Sequence, residues 1–332
     1  MNTFGRIFRI HIYGESHGNE LGVIIDGCPS GLEIDEKDFF SDIERRKSGA
    51  KGTTPRIEED LPKIKSGVFN GKTTGAPIII GFENKNTKSE DYRELLSFPR
   101  PGHADFTAKM KFGGFNDHRG GGHFSGRLTL GLIAAGVIAK KIINPIMVKA
   151  TLIEAGGLED IEKAIEEAMK KNDSIGGIVD CRSENLSVGL GEPFFDSFES
   201  LISHIVFAIP AIKGIEFGSG FLAAKMTGSQ HNDTFVDVKG KTNTNYSGGI
   251  NGGITNGNEV YFRVAVKPTS SIAAPQQTMN FETGEVQKLE IKGRHDTCIA
   301  LRVPVVLEAA TAIVLADLIM LEQKIPRIVN KP

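Results

Sequence analysis

The chain has no tryptophan and only 4 tyrosines among its 332 residues. That leaves little material for an aromatic platform on which nucleic-acid bases could stack. It also lacks a charge of one sign: 39 basic side chains stand against 41 acidic ones. No global field therefore favours DNA or an anionic membrane, and any anion site must come from a local cluster. The three cysteines, Cys28, Cys181 and Cys298, are widely spaced and form no CxxC pair, which argues against a disulfide framework or a zinc ribbon. The start, MNTFGRIFRIHIYGESHG, alternates like a strand and has no signal-peptide core. The most apolar stretches, 128–144 and 303–321, are broken by charge or glycine and read as too short to span a bilayer. The expectation is a cytoplasmic protein.

What the chain does have is glycine, 39 in all, so many positions call for tight turns or close backbone approach. With 39% hydrophobic and 24% charged residues, the composition fits a globular protein with a sizeable core. Residues 6–13 and 21–27 read as strands joined through GESHGNE. Asp35 with Asp38 opens a helix that runs to Arg46. A basic loop (KSGAKGTTPR) follows, then an apolar strand at 77–82 and a long polar loop. Residues 129–142 predict a buried helix, 158–171 an amphipathic one, 198–212 a third and 304–323 a strong final one. Residues 221–227 and 260–266 read as strands, and GGINGGITNG at 248–257 as loop or repeated tight turn. Without regular βαβ alternation, one α+β domain over 1–332 is expected rather than a doubly wound fold.

Three motifs point to different chemistries. GESHG (Gly14 to Gly18) matches the G-x-S-x-G nucleophile elbow, but the residues after it read as another strand, whereas the elbow needs a helix there. A serine hydrolase is thus a weak reading, although Glu, Ser and His together exceed what a turn needs. GSGFLA (218–223) resembles a truncated dinucleotide fingerprint without the helix or acidic residue that would complete it. In NDHRGGGHFSGR (116–127), His118 and His123 could bind a metal, but no third ligand completes a zinc spacing, and no metal is expected.

The arginines say more. Arg45, Arg46, Lys47, Lys51 and Arg56 cluster at one helix end and loop; Arg100 precedes PGHAD; Arg119 and Arg127 flank three glycines; Arg294 opens RHD. Basic runs are usually solvated faces, yet these arginines sit beside Gly, His, Ser and Asp in irregular segments. Guanidinium forks and glycine-turn N–H groups suit a small, multiply anionic ligand such as a phosphate or polycarboxylate. Histidines beside it could protonate a leaving phosphate and an aspartate could act as base.

Five ordered segments go further: YGESHG, RPGHADFT (100–107), DHRGGGHFSGR (117–127), KPTSSI (267–272) and GRHDTCIALRVPVVLEAA (293–310). Together with the looser SGVFNGKTTGAPI and GGINGGITNG, they make the chain resemble the chorismate synthase family over essentially its whole length. The resemblance implies a single β-α-β sandwich domain, assembled as a homotetramer. It implies 1,4-anti elimination of phosphate from 5-enolpyruvylshikimate 3-phosphate to give chorismate, in the route to aromatic amino acids. It also implies reduced FMN, needed without net redox change, with NADPH or an external reductant as the electron source.

By the same resemblance, His17 protonates the departing phosphate, His103 protonates the flavin, and Asp296 is the base associated with it. Arg46, Arg100, Ser125, Arg127 and Arg294 fall on substrate-anion contacts. Flavin contacts fall on His123, Phe124, Ser125, Pro210, Ala211, Gly252, Lys267, Pro268, Thr269, Ser270, Ser271 and Arg294. NADPH is expected near Arg46 and near Lys51, which stands for a family arginine in a loop one residue shorter. Where the family text runs DYRGGGRSSARET, this chain has His123, Gly126 and Leu128 in place of Arg, Ala and Glu. It also has RRKSG for RRRPG, and Pro210 for an asparagine. These departures leave a second reading, a non-catalytic flavin- or phosphometabolite-binding paralogue.

Overall fold

A computed structural model describes residues 2–54, 58–85, 97–291 and 295–324. Arg56 and Arg294 lie outside the described residues. The first sheet uses β1 (Thr3–Phe4), β2 (Arg9–Gly14), β3 (Glu20–Asp26), β4 (Lys63–Ser66) and, after a small ladder of β5 (Val68–Phe69) and β6 (Lys72–Thr73), β7 (Ile78–Glu83). Its order is β1-β2-β3-β7-β4, and all its pairings are antiparallel. The second sheet uses β8 (Met147–Ala155), β9 (Gly177–Glu184), β10 (Ile212–Phe217) and, beyond the hairpin of β11 (Ile250–Asn251) and β12 (Ile254–Thr255), β13 (Val260–Val266). Its order is β10-β13-β9-β8. A separate hairpin pairs β14 (Gln276–Asn280) with β15 (Glu285–Leu289).

The helices are α1 (Phe40–Arg46), α2 (Asp105–Lys111), α3 (Thr129–Ile142), α4 (Ile161–Lys170), α5 (Phe198–Val206), α6 (Gly228–His231) and α7 (Val303–Lys324). α3 packs on β2, β3 and β7, whereas α7 packs on β8 and β9, and the two helices pack on each other between the sheets. The result is the expected α+β sandwich. Their close approach requires Gly136, where a Cβ would overlap Ala309. α7 is long and apolar enough to cross a membrane, which corrects the reading of 303–321 as too short; 83% of its most apolar window is buried in the core, the behaviour of a core helix.

The hairpin β2–β3 forms where alternation placed it, but β2 starts only at Arg9. The N–H groups of Arg6, Ile7 and Phe8 instead donate to the Asp317 carboxylate on α7, at 2.7–2.9 Å, so this stretch cannot pair as strand. Asp35 caps a 3-10 turn, Glu36–Phe39, in a capping box with Asp38, and the chain continues into α1. The expected helix 198–212 ends at Val206, and by Ile212 the chain is β10. Pro210 supplies no N–H, and the residue before a proline is pushed out of helical space. The expected strand 221–227 is a 3-10 turn, Gly220–Lys225, that opens on a φ of 55° at Gly220 with Phe221 N–H donating to Glu216. This left-handed glycine and the local carboxylate acceptor replace a ladder.

Candidate active site

A cavity of about 580 Å³ opens between the end of α1, the 100–104 loop, the glycine turn after α2, the end of α5, the Lys267–Ser271 strand exit and the start of α7. That is within the usual size of a small-molecule site. Among the described residues it is lined by Arg46, Lys47, Arg127, Lys267 and Arg302 against Glu58, Asp60 and Asp296. Five cations facing three carboxylates leave a net positive field for an anion.

The glycine turn organises the site. Gly120, Gly121 and Gly122 have φ of 58°, 83° and 52°, values that L-residues with side chains rarely adopt. The missing side chains matter as much. A Cβ on Gly120 would overlap the His17 ring and crowd Ser16, one on Gly121 would sit 3.4 Å from His103 Cε1, and one on Gly122 would overlap the Asp117 carbonyl. The turn is therefore threaded between His17 and His103, which are 86 residues apart in sequence (103 − 17). Ser16 N–H donates to Gly122 O at 3.1 Å, tying the β2–β3 turn to it. His17 is buried, with Nδ1 3.2 Å from Ser16 Oγ; Ser16, rather than His17, lines the cavity.

Arg127 and Arg46 form the floor. Arg127 donates through Nε to Asn84 Oδ1 at 2.6 Å and through Nη1 to Asp60 Oδ1 at 2.7 Å. Its buried Nη2 has no hydrogen-bond partner among the described residues, and its charged neighbour there is Glu58 Oε2 at 4.0 Å. Arg46 donates to Thr129 Oγ1 and to Gly126 O, both at 2.9 Å. Burial, then repulsion from Arg302, pulls the Arg46 pKa down to about 9 against the attraction of Asp60. An anion in the cavity would relieve that strain on its charge. Ser125 caps the short turn that carries Arg127 and also faces the cavity.

At the opposite wall, Thr54 N–H donates to Asp296 Oδ1 at 2.9 Å, and Arg302 Nη1 reaches Oδ2 at 3.3 Å. Arg302 also donates to Arg46 O at 2.8 Å. Burial and then Lys213 lower the Lys267 pKa, as a cationic, partly dry pocket wall would. Next to it Ala211 holds a φ of 76° while its carbonyl accepts from Lys267 N–H at 2.8 Å. Such strain in a non-glycine residue is tolerated where neighbours over-determine the backbone.

Arg100 does not line the cavity but lies behind His103. It donates from Nε and Nη2 to Asp105 at 2.7 and 2.8 Å, and from Nη1 to Ser271 Oγ at 3.0 Å. Burial opposes ionisation of Asp105, but hydrogen bonds from Arg100 and His103 outweigh it and hold the carboxyl well below the usual range. A depressed carboxyl stabilises the fold above its unfolded pKa of about 3.9 and loses that contribution as pH falls through the folded value. The stability difference between wild type and Asp105→Asn, measured by urea unfolding, should therefore be constant above about pH 5 and shrink below about pH 4.

Of the other expected positions, His123, Phe124, Pro210, Ala211, Lys267, Thr269, Ser270 and Ser271 line the cavity. Pro268, between them in sequence, is exposed and does not. Gly252 sits in the exposed β11–β12 turn, also outside the lining. Lys51 is exposed and paired with Glu166 on α4 at 2.5 Å, again outside it. The two candidate metal histidines diverge: His123 Nδ1 lies 2.8 Å from Gly14 O, so it donates there, and His118 lines a smaller cavity of about 150 Å³. Sequence reasoning missed Asp60, Glu58, Asn84, Thr54 and Arg302. Only Arg302 carried a signal, being the second arginine of GRHDTCIALR.

Fold and site together define an α+β sandwich enzyme with a cationic cavity and two histidines held by a glycine turn, built for a polyanionic substrate. The family model for chorismate synthase matches residues 8–320. A chorismate synthase of Chitinophaga pinensis is 64% identical over 99% of this chain and 99% of its own. One from Korarchaeum cryptofilum is 44% identical over 96% of this chain and 97% of its own. A crystal structure of chorismate synthase superposes with a TM-score of 0.73 at 26% identity, covering 97% of this chain and 94% of that one. The chain belongs to the chorismate synthase family, and it is a carbon–oxygen lyase of that kind.

Proposed function

We propose that the 580 Å³ cavity is where this lyase eliminates phosphate from 5-enolpyruvylshikimate 3-phosphate, with reduced FMN bound beside the substrate. The observation that carries the reading is that two buried guanidinium groups, Arg46 and Arg127, line one wall of the cavity together. Two guanidinium groups already fixed by Asp60, Asn84 and Thr129 can take up phosphate and carboxylate oxygens with little further ordering. Gly126, beside Ser125, lines the cavity with open space where a side chain would stand, so a flat ring system can approach the backbone there and the residues present fit a flavin. Reduced FMN, when bound, lends electron density to the breaking C–O bond.

The chain's own groups handle protons and position. The C–O bond to phosphate breaks, a ring proton leaves, and a C=C bond forms. His17 supplies the proton for the departing phosphate through Ser16 Oγ, the hydroxyl that stands between it and the cavity. His103 is the proton donor at the flavin side, and Asp296, oriented by Thr54 and Arg302, is the acceptor. Arg100, together with Ser271, supports the His103 wall from behind. His123, although a departure from the family's arginine, is anchored to the Gly14 carbonyl and so keeps the β2–β3 turn in place. Arg294 is assigned with the substrate and flavin contacts on the resemblance alone.

NADPH is placed near Arg46, and the supply of reduced FMN is assigned to an external reductant in the cytoplasm. One domain over 1–332 and a homotetramer complete the proposal. The tetramer is supported by the exposed Phe221, Phe235 and Val238 between β10 and β11. Turnover is tested anaerobically with reduced FMN and the enolpyruvyl substrate, reading phosphate and chorismate. His17→Ala and His103→Ala should each lower kcat by roughly 10- to 1000-fold. FMN binding without any phosphate release by the wild type would instead establish the non-catalytic paralogue.

A further inference from the structure

We propose that Asp105 is a positioning residue that fixes the tautomer of His103, holding Nδ1–H on its carboxylate and leaving Nε2 as the atom that exchanges the proton. This inference rests on the reading of His103 as a proton donor. His103 Nδ1 lies 2.6 Å from Asp105 Oδ1, and the Asp105 side chain is only 8% exposed. Arg100 Nη2 also lies 3.0 Å from the same Nδ1, so the ring nitrogen has a donor and an acceptor within reach. The carboxylate decides between them. It is closer, it is charged, and Arg100 Nη2 already has Asp105 Oδ1 as acceptor at 2.8 Å, so Nδ1 carries the proton and donates it to Asp105.

The ring's other edge then points to the chemistry. The Cε1 and Nε2 atoms pack toward Gly121, where a Cβ would lie 3.4–3.5 Å from them; Gly121 borders the smaller cavity of about 150 Å³, and His103 lines both that cavity and the larger one. In the imidazolium, Nε2–H is the free acid. After that proton passes to an acceptor in the cavity, the neutral ring keeps Nδ1–H on Asp105, and Nε2 can be reprotonated from water. Among the described residues, Arg100 and Asp105 are the charged groups that touch the ring. Lys267 reaches the same loop only through Ser270, whose hydroxyl donates to Gly102 O at 2.8 Å.

Asp105→Asn isolates the effect. Asp105 Oδ2 accepts from both Arg100 N–H and Nε, at 3.1 and 2.7 Å, so the single amide oxygen of asparagine belongs there. Its NH2 group then occupies the Oδ1 position and donates to His103 Nδ1, which forces the proton onto Nε2, the same inversion that disables a serine-protease triad when its aspartate becomes asparagine.

The test labels the full-length chain with ¹⁵N-histidine and reads the ring nitrogens by two-bond ¹⁵N–¹H correlation, with the His103 signals identified by their loss in His103→Ala. The wild type should show neutral His103 protonated on Nδ1, and Asp105→Asn should show it protonated on Nε2. In the turnover assay Asp105→Asn should lose about 100-fold in kcat, with KM changed by less than about threefold. Asp105→Glu, which keeps the carboxylate, should restore the Nδ1–H tautomer and at least about a tenth of wild-type kcat. A wild-type ring protonated on Nε2, or an Asp105→Asn ring still protonated on Nδ1 with kcat within twofold, overturns the inference. If Asp105→Asn does not fold, the wild-type tautomer and Asp105→Glu decide it. Unchanged kcat in His103→Ala would sink the site reading separately, with the ring-nitrogen signals still reporting on Asp105.

Discussion

Gly120→Ala is expected to lower turnover by roughly 100-fold or more, within the worth of one general acid, while circular dichroism stays that of the wild type. A methyl group at this position has nowhere to go. It would overlap the His17 ring and press on Ser16 Oγ, and His17 is only 6% exposed, so the ring cannot retreat into solvent. The φ of 58° at Gly120 adds about 1–2 kcal/mol of backbone cost for alanine. Gly121→Ala is the control, since its φ of 83° carries similar strain but its Cβ meets His103 only at 3.4 Å. Gly120→Ala should therefore lose far more activity than Gly121→Ala. Equal and small losses in the two variants would show that the turn is not a wedge holding His17.

Asp60→Asn should cost about 3–5 kcal/mol of folding stability by urea denaturation, the usual penalty for removing one partner of a buried ion pair. Arg127 donates to Asp60 Oδ1 at 2.7 Å, and Arg46 Nη1 lies 3.6 Å from Oδ2, with all three side chains 8% exposed or less. Asparagine tolerates the left-handed φ of 50° at this position, so backbone strain is held constant and the loss measures the charge. Inorganic phosphate should return part of it, because an anion that binds only the folded state stabilises by RT ln(1 + [L]/Kd), about 2.7 kcal/mol at a hundred times Kd. A loss below about 1 kcal/mol, or no recovery with phosphate, would contradict the pairing of Asp60 with this arginine floor.

Both predictions concern relations that sequence order conceals. The elements with a local signature were legible: the alternation of Arg9–Gly14 and Glu20–Asp26, the capping pair Asp35 and Asp38, and the apolar run of α3. Of the second sheet only β13, Val260–Val266, was legible, and the other strands were hidden for a physical reason. β8 alternates only as far as Leu152, where an irregularity shifts its register, and β9 alternates from Val179 to Glu184 but fills its buried positions with Cys181 and Ser183, so neither carries a strong apolar alternation. Phe221 and Leu222 made a turn look like a strand because apolar residues that stay exposed (83% and 57%) mimic a core-facing run. In the site, His17, His103, Arg127 and Asp296 were found because they sit inside dense motifs. Asp60, Asn84 and Thr54 were not, because each acts through a residue far along the chain: Asp60 through Arg127, Thr54 through Asp296. Single polar residues in a loop carry no mark of the partner they will meet.

The central place of α7 has a consequence for how the molecule is made. Both sheets precede α7 in chain order, yet α7 covers β8 and β9, packs along α3, and takes the N–H groups of Arg6, Ile7 and Phe8 on Asp317. During synthesis from the N-terminus, α3 can cover the first sheet early, but β8 and β9 leave the ribosome with an apolar face whose covering helix arrives only with residues beyond 303. The nascent chain must therefore wait, half assembled and sticky, for its most apolar helix, and it is in that interval that aggregation competes with folding.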